Sequence, residues 1–147
     1  MRVFKNRKAR HEYFFIDKFE AGIVLQGSEI KSIREGKVSF KDSYAKIING
    51  EVWLYNLHIS PYRQASYFNH EPERPRKLLL TKREIKKLSK KVEEEGYTLI
   101  PAELYITKRG LAKIQLVLAK GKKNYDKRED IKKRDEERIN ARRYKDY

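Results

Sequence analysis

With 147 residues the chain has material for one domain and one hydrophobic core, and 36 Lys and Arg against 21 Asp and Glu leave a net charge of +15 that points to a polyanionic partner. No stretch reaches the ~20 apolar residues of a membrane span, the charged start from Met1 to Arg10 leads into no signal-peptide apolar run, and no basic segment backs onto a long apolar face. Nucleic acid is therefore favoured over a membrane and the cytoplasm is the expected compartment, while the absence of cysteine excludes disulfides, Cys-based zinc sites and a Cys nucleophile.

In chain order, Phe19 to Gln26 alternates, with Phe19, Ala21, Ile23 and Leu25 on one side and Glu20, Gly22, Val24 and Gln26 on the other, which predicts a strand. Ser28 to Glu35, with Ile30 and Ile33 three apart and Gly36 following, reads as a short helix. The segments Tyr44 to Ile48 and Val52 to Leu57 form a hairpin across Asn49-Gly50-Glu51, where Asn-Gly suits positive φ. Ser60 to Arg76 contains Pro61, Pro72 and Pro75 without a sustained period and reads as a long irregular connection. A capping box, Thr81-Lys82-Arg83-Glu84, then opens a helix whose Ile85, Leu88 and Val92 share a face and which Gly96 ends. A second hairpin runs from Leu99 to Thr107, through Lys108, Arg109 and Gly110, into Leu111 to Ala119, with Pro101 marking an edge or a bulge.

Residues 120–147 hold 12 of the basic and 7 of the acidic side chains, but their apolar content is only Tyr125, Ile131, Ile139, Ala141, Tyr144 and Tyr147. Such a segment cannot build a core. The expected organisation is a barrel domain over 1–120 and a basic C-terminal tail over 121–147. Short antiparallel strands with two or three inserted helices fit a mainly β fold, a small closed barrel of the oligonucleotide-binding type.

Catalytic chemistry finds no support. His11, His58 and His70 have no partner at metal-ligand spacing, so no metal site is expected. The glycines spell neither a phosphate loop nor a dinucleotide fingerprint, and there is no nucleophile elbow. Glu93-Glu94-Glu95, the densest carboxylate group, sits at the end of the capped helix and reads as a solvated face. A nuclease would need a metal-binding carboxylate cluster that is not visible. The chain is expected to be a binder without a cofactor, not an enzyme.

Three motifs rise above composition. The first runs Asn6-Arg7-Lys8-Ala9-Arg10-His11-Glu12-Tyr13-Phe14, followed by Phe19-Glu20-Ala21-Gly22 and by Gln26-Gly27-Ser28-Glu29-Ile30-Lys31-Ser32-Ile33-Arg34; the second is Arg76-Lys77-Leu78-Leu79-Leu80; the third is Ala119-Lys120-Gly121-Lys122-Lys123-Asn124-Tyr125-Asp126-Lys127-Arg128. In this order and spacing they resemble small protein B, the partner of transfer-messenger RNA in bacterial ribosome rescue. The resemblance implies a barrel of about six strands that binds the tRNA-like domain of that RNA. It also implies delivery of the charged RNA, with elongation factor Tu, to the A site of a stalled ribosome. The tail is implied to be disordered when free and helical in the vacant messenger channel, against small-subunit ribosomal RNA at the decoding centre. A monomer is expected.

Each residue brought forward by the resemblance also has an ordinary reading. Glu20, outward on its strand, can accept from a guanine edge or a ribose 2′-OH, as the resemblance implies, or pair with a lysine. Leu79, out of phase with Leu78 and Leu80, is either one face of a strand buried on both sides or, by the resemblance, an apolar contact to RNA. Lys113 is by default a solubilising lysine and by resemblance an RNA contact. Arg7, Lys8 and Arg10 suit phosphates. In the tail, Gly121, Lys122, Lys123, Tyr125, Asp126, Lys127 and Arg128 are implied ribosome contacts, with the Tyr125 ring, histidine in some relatives, able to stack on a base. The rival reading is a general single-strand RNA-binding barrel or ribosomal protein, for which Tyr13, Phe14, Tyr44, Tyr55 and Tyr105 are possible stacking rings, several of them at core-facing positions.

Overall fold

The computed structural model of the chain describes residues 2–64 and 69–145. Its elements are β1 (Val3–Lys5), α1 (Arg7–Glu12), β2 (Tyr13–Ile23), α2 (Gly27–Arg34), β3 (Val38–Ser39), β4 (Tyr44–Ile48), β5 (Glu51–Tyr55), β6 (His58–Ile59), β7 (Arg76–Leu79), α3 (Lys82–Glu95), β8 (Thr98–Ile106), β9 (Ala112–Gly121) and α4 (Asn124–Lys145). The large sheet runs β1-β8-β4-β5-β7-β2-β9, and β9 pairs again with β8. Six antiparallel strands therefore close into a ring, the expected barrel, while β3 and β6 form a separate two-stranded ribbon.

Alternation fills this ring. Ala21, Val52, Leu54, Leu78, Leu104, Ile114, Leu116 and Leu118 are all at most 1% exposed and belong to one cluster. Ile33 of α2 and Leu88 of α3 enter the same cluster. They do so from opposite ends, because α2 follows the end of β2, whereas α3 starts where β7 has run antiparallel to β2. α3 forms where the sequence placed it: Thr81 Oγ1 accepts from Glu84 N at 3.2 Å, Glu84 Oε1 accepts from Thr81 N at 3.0 Å, and Gly96 adopts φ 68°. Between β4 and β5, Asn49 (φ 51°) and Gly50 (φ 75°) form a two-residue loop with both φ positive, so Glu51 joins the strand and β5 ends at Tyr55 rather than Leu57.

Three departures have physical causes. β2 begins at Tyr13, not Phe19: exposure alternates along the whole strand, but in its first half the outward positions Phe14 and Ile16 are apolar, so hydrophobicity does not alternate there, and the register against β9 shifts between Phe15 and Asp17. It ends at Ile23, since Val24 to Gln26 turn into α2. The helix α1 carries only charged or small residues, so no apolar period announces it. Asn6, itself 4% exposed, organises it: its side chain accepts from Ala9 N at 3.2 Å and donates to Pro101 O at 2.8 Å. Ala9 then packs with Ile100, Ala102, Val117 and Ala119 in a second cluster outside the barrel. Pro101 lies where β8 bulges and changes partner, from β4 at Leu99 to β1 at Glu103, a place where a missing N–H costs no ladder bond.

One buried ionic group ties α2 to the irregular connection. Glu29 and Arg76 have no exposed surface; Glu29 accepts from both Arg74 and Arg76, and Arg76 also donates to Leu57 O and, at 3.0 Å, to Pro72 O. Burial pushes the Glu29 carboxyl upward, but hydrogen bonds from Arg74, the Gln26 amide and Arg76 outweigh it and hold the group below the ordinary carboxylate range. This network anchors the start of β7, the strand that ends on Leu79.

Candidate nucleic-acid interface

The strand registers place the expected residues in rows on the outer face of the barrel. Across β7, β2, β9 and β8, one row reads Leu79, Gly22, Lys113, Tyr105. The next row on the same face reads Glu20, Gln115, Glu103, continued by Lys5 of β1. Leu79 is 53% exposed, whereas its neighbour Leu78 is 1% exposed and in the core. The two-sided burial that would have made Leu79 a core residue is not present. A Cβ on Gly22 would stand 3.3 Å from Leu79 Cβ, so the leucine lies over bare backbone. With Val24 (45% exposed) and Leu111 (57%), Leu79 rims a hollow of about 370 Å³ that Lys113 also lines.

Among the described residues, Glu20 forms no salt bridge with a lysine. Its neighbour is the Tyr105 hydroxyl, whose pKa is pushed to about 12 by burial, by a hydrogen bond to Glu20, and by the charges of Glu20 and Glu103. Tyr105 remains protonated and donates to Glu20. Arg10 reaches this face through Glu103, at 3.6 Å. The face thus offers a cation, a carboxylate, an amide and an apolar surface within two rows, the mixture that base edges and ribose hydroxyls require.

Arg7 and Lys8 lie elsewhere. Both line a cleft of about 780 Å³ with Lys5 and Lys41, and Lys8 is held by Asp42 at 2.7 Å, whose hydrogen bond and charge raise its pKa. The six expected RNA contacts therefore divide, with Glu20, Leu79 and Lys113 together, Arg10 at their margin, and Arg7 and Lys8 apart. Glu103 and Gln115 were not among the expected residues and Tyr105 was named only as a stacking ring of the rival reading, although the hairpin carried the signal for all three. Counting outward from Arg109 pairs Tyr105 with Lys113, and alternation with Ile114 sends Gln115 to the same side as Lys113.

In the tail, β9 still includes Gly121, paired with Tyr13. Lys122 N donates to Glu12 O at 2.8 Å, and its ammonium lies 5.0 Å from the Phe14 ring centre and 3.2 Å from Arg10 O. α4 then begins, with Asp126 accepting from Lys123 N at 3.3 Å. Lys127 N donates to Lys123 O at 3.1 Å, Arg128 is exposed, and the Tyr125 ring lies outside the described residues. Ile131 is 46% exposed and residues 132–138 are exposed as well, so this stretch of the helix buries no apolar stripe.

The family model described as "SmpB protein" matches residues 3–146. The chain belongs to the SmpB protein family. Among its SmpB relatives, the SsrA-binding protein of Desulfitobacterium hafniense is 61% identical over 141 residues, covering 96% of this chain and 90% of the relative. That of Desulforudis audaxviator is 59% identical over 140 residues, covering 95% and 91%. A chain of the solved structure "tmRNA-SmpB: a journey to the center of the bacterial ribosome" superposes with a TM-score of 0.71 at 51% identity, covering 83% of this chain and 85% of that one. Among the described residues no three His, Asp or Glu converge as metal ligands, and no helix is long and apolar enough to cross a membrane.

Proposed function

We propose that this SmpB chain binds the tRNA-like domain of transfer-messenger RNA through the Leu79, Gly22, Lys113 and Glu20 face and delivers it to stalled ribosomes for trans-translation. Near-full-length identity of about 60% to SsrA-binding proteins supports the reading, and so does the match to a chain from a tmRNA-SmpB ribosome structure. On the face, Lys113 meets a phosphate. Glu20, with Tyr105 holding one of its lone-pair directions, accepts from a base edge or a 2′-OH. Leu79 packs on the flat side of a ribose or base.

The tail, 121–147, is the ribosome-facing part. A helix with this little apolar surface gains only about 0.2–0.5 kcal/mol from each pair such as Glu129 with Lys133, so its order depends on a partner. A channel walled by ribosomal RNA supplies one, through phosphates for Lys122, Lys123, Lys127 and Arg128. Bond making belongs to the ribosome, and elongation factor Tu accompanies the delivered RNA.

The test is a gel-shift series with the folded tRNA-like domain and an unstructured RNA of equal length at several salt concentrations. Stronger retention of the folded RNA is expected at physiological salt. Equal affinity for the two would overturn the reading in favour of a general single-strand binder.

A further inference from the structure

Outside the Glu20 and Lys113 face, the barrel carries a second ordered set of outward side chains. Val52 and Leu54 have no exposed surface, so alternation along β5 turns Glu51, Trp53 and Tyr55 outward. Strand register sets Lys46 of β4 and Lys77 of β7 on either side of Trp53, giving a row of cation, indole, cation across three strands. In the neighbouring row Tyr44 and Tyr55 are cross-strand partners, their rings stacked with centroids 5.6 Å apart and planes 24° from parallel. Lys46 Nζ stands 5.6 Å from the centre of the Tyr44 ring. Beyond Tyr44 and Lys46 the surface continues into a cleft of about 300 Å³ that Lys8 and Lys41 also line.

We propose that this β4, β5 and β7 face is a second RNA surface, one that takes two or three unpaired nucleotides by stacking their bases on Trp53 and Tyr55. The inference rests on the chain being an RNA binder but not on which RNA the first face holds. Aromatic rings on a sheet accept any base because every base has a π face, and flanking lysines supply the phosphate contacts that a strand laid across them needs. Charge complementarity favours RNA over a peptide here. Lys46 and Lys77 bracket Trp53, the two rows hold no carboxylate, Glu51 of the adjoining row is held by Lys77 at 2.7 Å, and the chain carries +15 overall, although Glu12 and Asp42 also line the cleft beyond. The two faces differ in kind: the first combines a carboxylate, an amide and an exposed leucine suited to a folded RNA, and the second presents rings between cations.

Trp53 is the only tryptophan of the sequence, so the full chain reports on this face directly. Titration with hexauridylate and hexaadenylate should quench its fluorescence saturably and less strongly as salt rises. Lys46→Glu with Lys77→Glu should weaken that binding at least severalfold, whereas Lys113→Ala should leave it unchanged. By anisotropy of a labelled hexamer, Trp53→Ala should weaken binding by roughly 5- to 150-fold and Trp53→Phe by much less, with circular dichroism showing both variants folded. Absence of quenching, quenching indifferent to the two charge reversals, or quenching abolished by Lys113→Ala would overturn the proposal. The tRNA-like RNA, assayed in parallel with Trp53→Ala, keeps the two readings apart. Failure of the wild type to bind it would strike the first face alone, while loss of hexamer binding strikes the second.

Discussion

Glu29→Gln removes the charge from a group with no exposed surface while keeping its size, and leaves Arg76, equally buried, facing a neutral amide. Breaking one side of a buried ion pair typically costs about 3–5 kcal/mol, a large share of the roughly 5–15 kcal/mol that holds a domain together. For a barrel of this size that corresponds to a fall in melting temperature on the order of 10–20 °C at pH 7. The pH dependence fixes the cause. Because the folded-state pKa of Glu29 lies below its unfolded value, the stability it contributes is fully present above the ordinary carboxylate range and is lost as pH falls through the folded pKa. Melting curves of wild type and Glu29→Gln followed by far-ultraviolet circular dichroism should therefore differ most at neutral pH and draw together as the pH falls below the ordinary carboxylate range. Replacing both wholly buried partners, Glu29→Leu with Arg76→Met, should cost less than the single change, since the only cation then left without its carboxylate is the partly exposed Arg74. A gap that does not narrow as the pH is lowered through and below the ordinary carboxylate range, or a loss of only about one or two degrees at pH 7, would refute the assignment of Glu29 and Arg76 as the clamp on α2 and β7.

Lys113→Ala and Glu20→Ala should each weaken binding of the tRNA-like RNA by roughly 10- to 100-fold, as loss of a charge-assisted hydrogen bond predicts, with stability changed by only about 0.5 kcal/mol; a sharp fall in melting temperature with unaltered affinity would make them structural residues. Asn6→Ala removes both the cap of α1 and the bond to Pro101 O and should cost about 2 kcal/mol by urea unfolding, whereas a cost within 0.5 kcal/mol would show α1 to be held by Ala9 alone. A chain stopped after Lys123, which keeps the Lys122 contacts to Glu12 and Arg10, should bind transfer-messenger RNA as the full chain does and fail to tag proteins on ribosomes stalled without a stop codon; normal tagging by this truncation would refute the role given to the tail.

Sequence reasoning saw most where a local rule has one solution. Thr81, Glu84 and Gly96 bound α3, and Asn49 with Gly50 closes a hairpin, because capping and positive φ depend on neighbours a few residues away. It missed α1, whose order comes from a bond between Asn6 and Pro101, far along the chain, and it shortened β2 because the outward positions Phe14 and Ile16 are apolar and hide the period that marks a strand. The candidate site divided in the same way. Alternation alone sent Glu20, Leu79 and Lys113 outward, but their meeting depends on three strand registers, and so did the recruitment of Tyr105, Glu103 and Gln115. Tyr44, Tyr55 and Tyr105 were among rings suspected of facing the core; register and the burial of Val52, Leu54 and Leu104 turn them outward instead. Glu29 and Arg76 stood in two of the motifs, but nothing marked them as partners, since basic and acidic residues abound here and their burial with Arg74 alongside emerges only in the fold.

The register of β2 against β9 also governs when the molecule becomes competent. Gly22 meets Lys113 and Glu20 meets Gln115, so the two halves of the RNA face come from opposite ends of the polypeptide. Pairings of such long separation form late, after the loop between them has closed. During synthesis, β2 leaves the exit tunnel early and must wait with its outward residues unassembled until β9 follows, and the Lys122 latch over Glu12 closes only after that. A fragment released from a broken message before residue 113 would therefore lack Lys113 and Gln115 and could not assemble the Glu20 and Lys113 face. For a chain whose business is with ribosomes that have stopped too soon, its own premature products are denied that first face by topology.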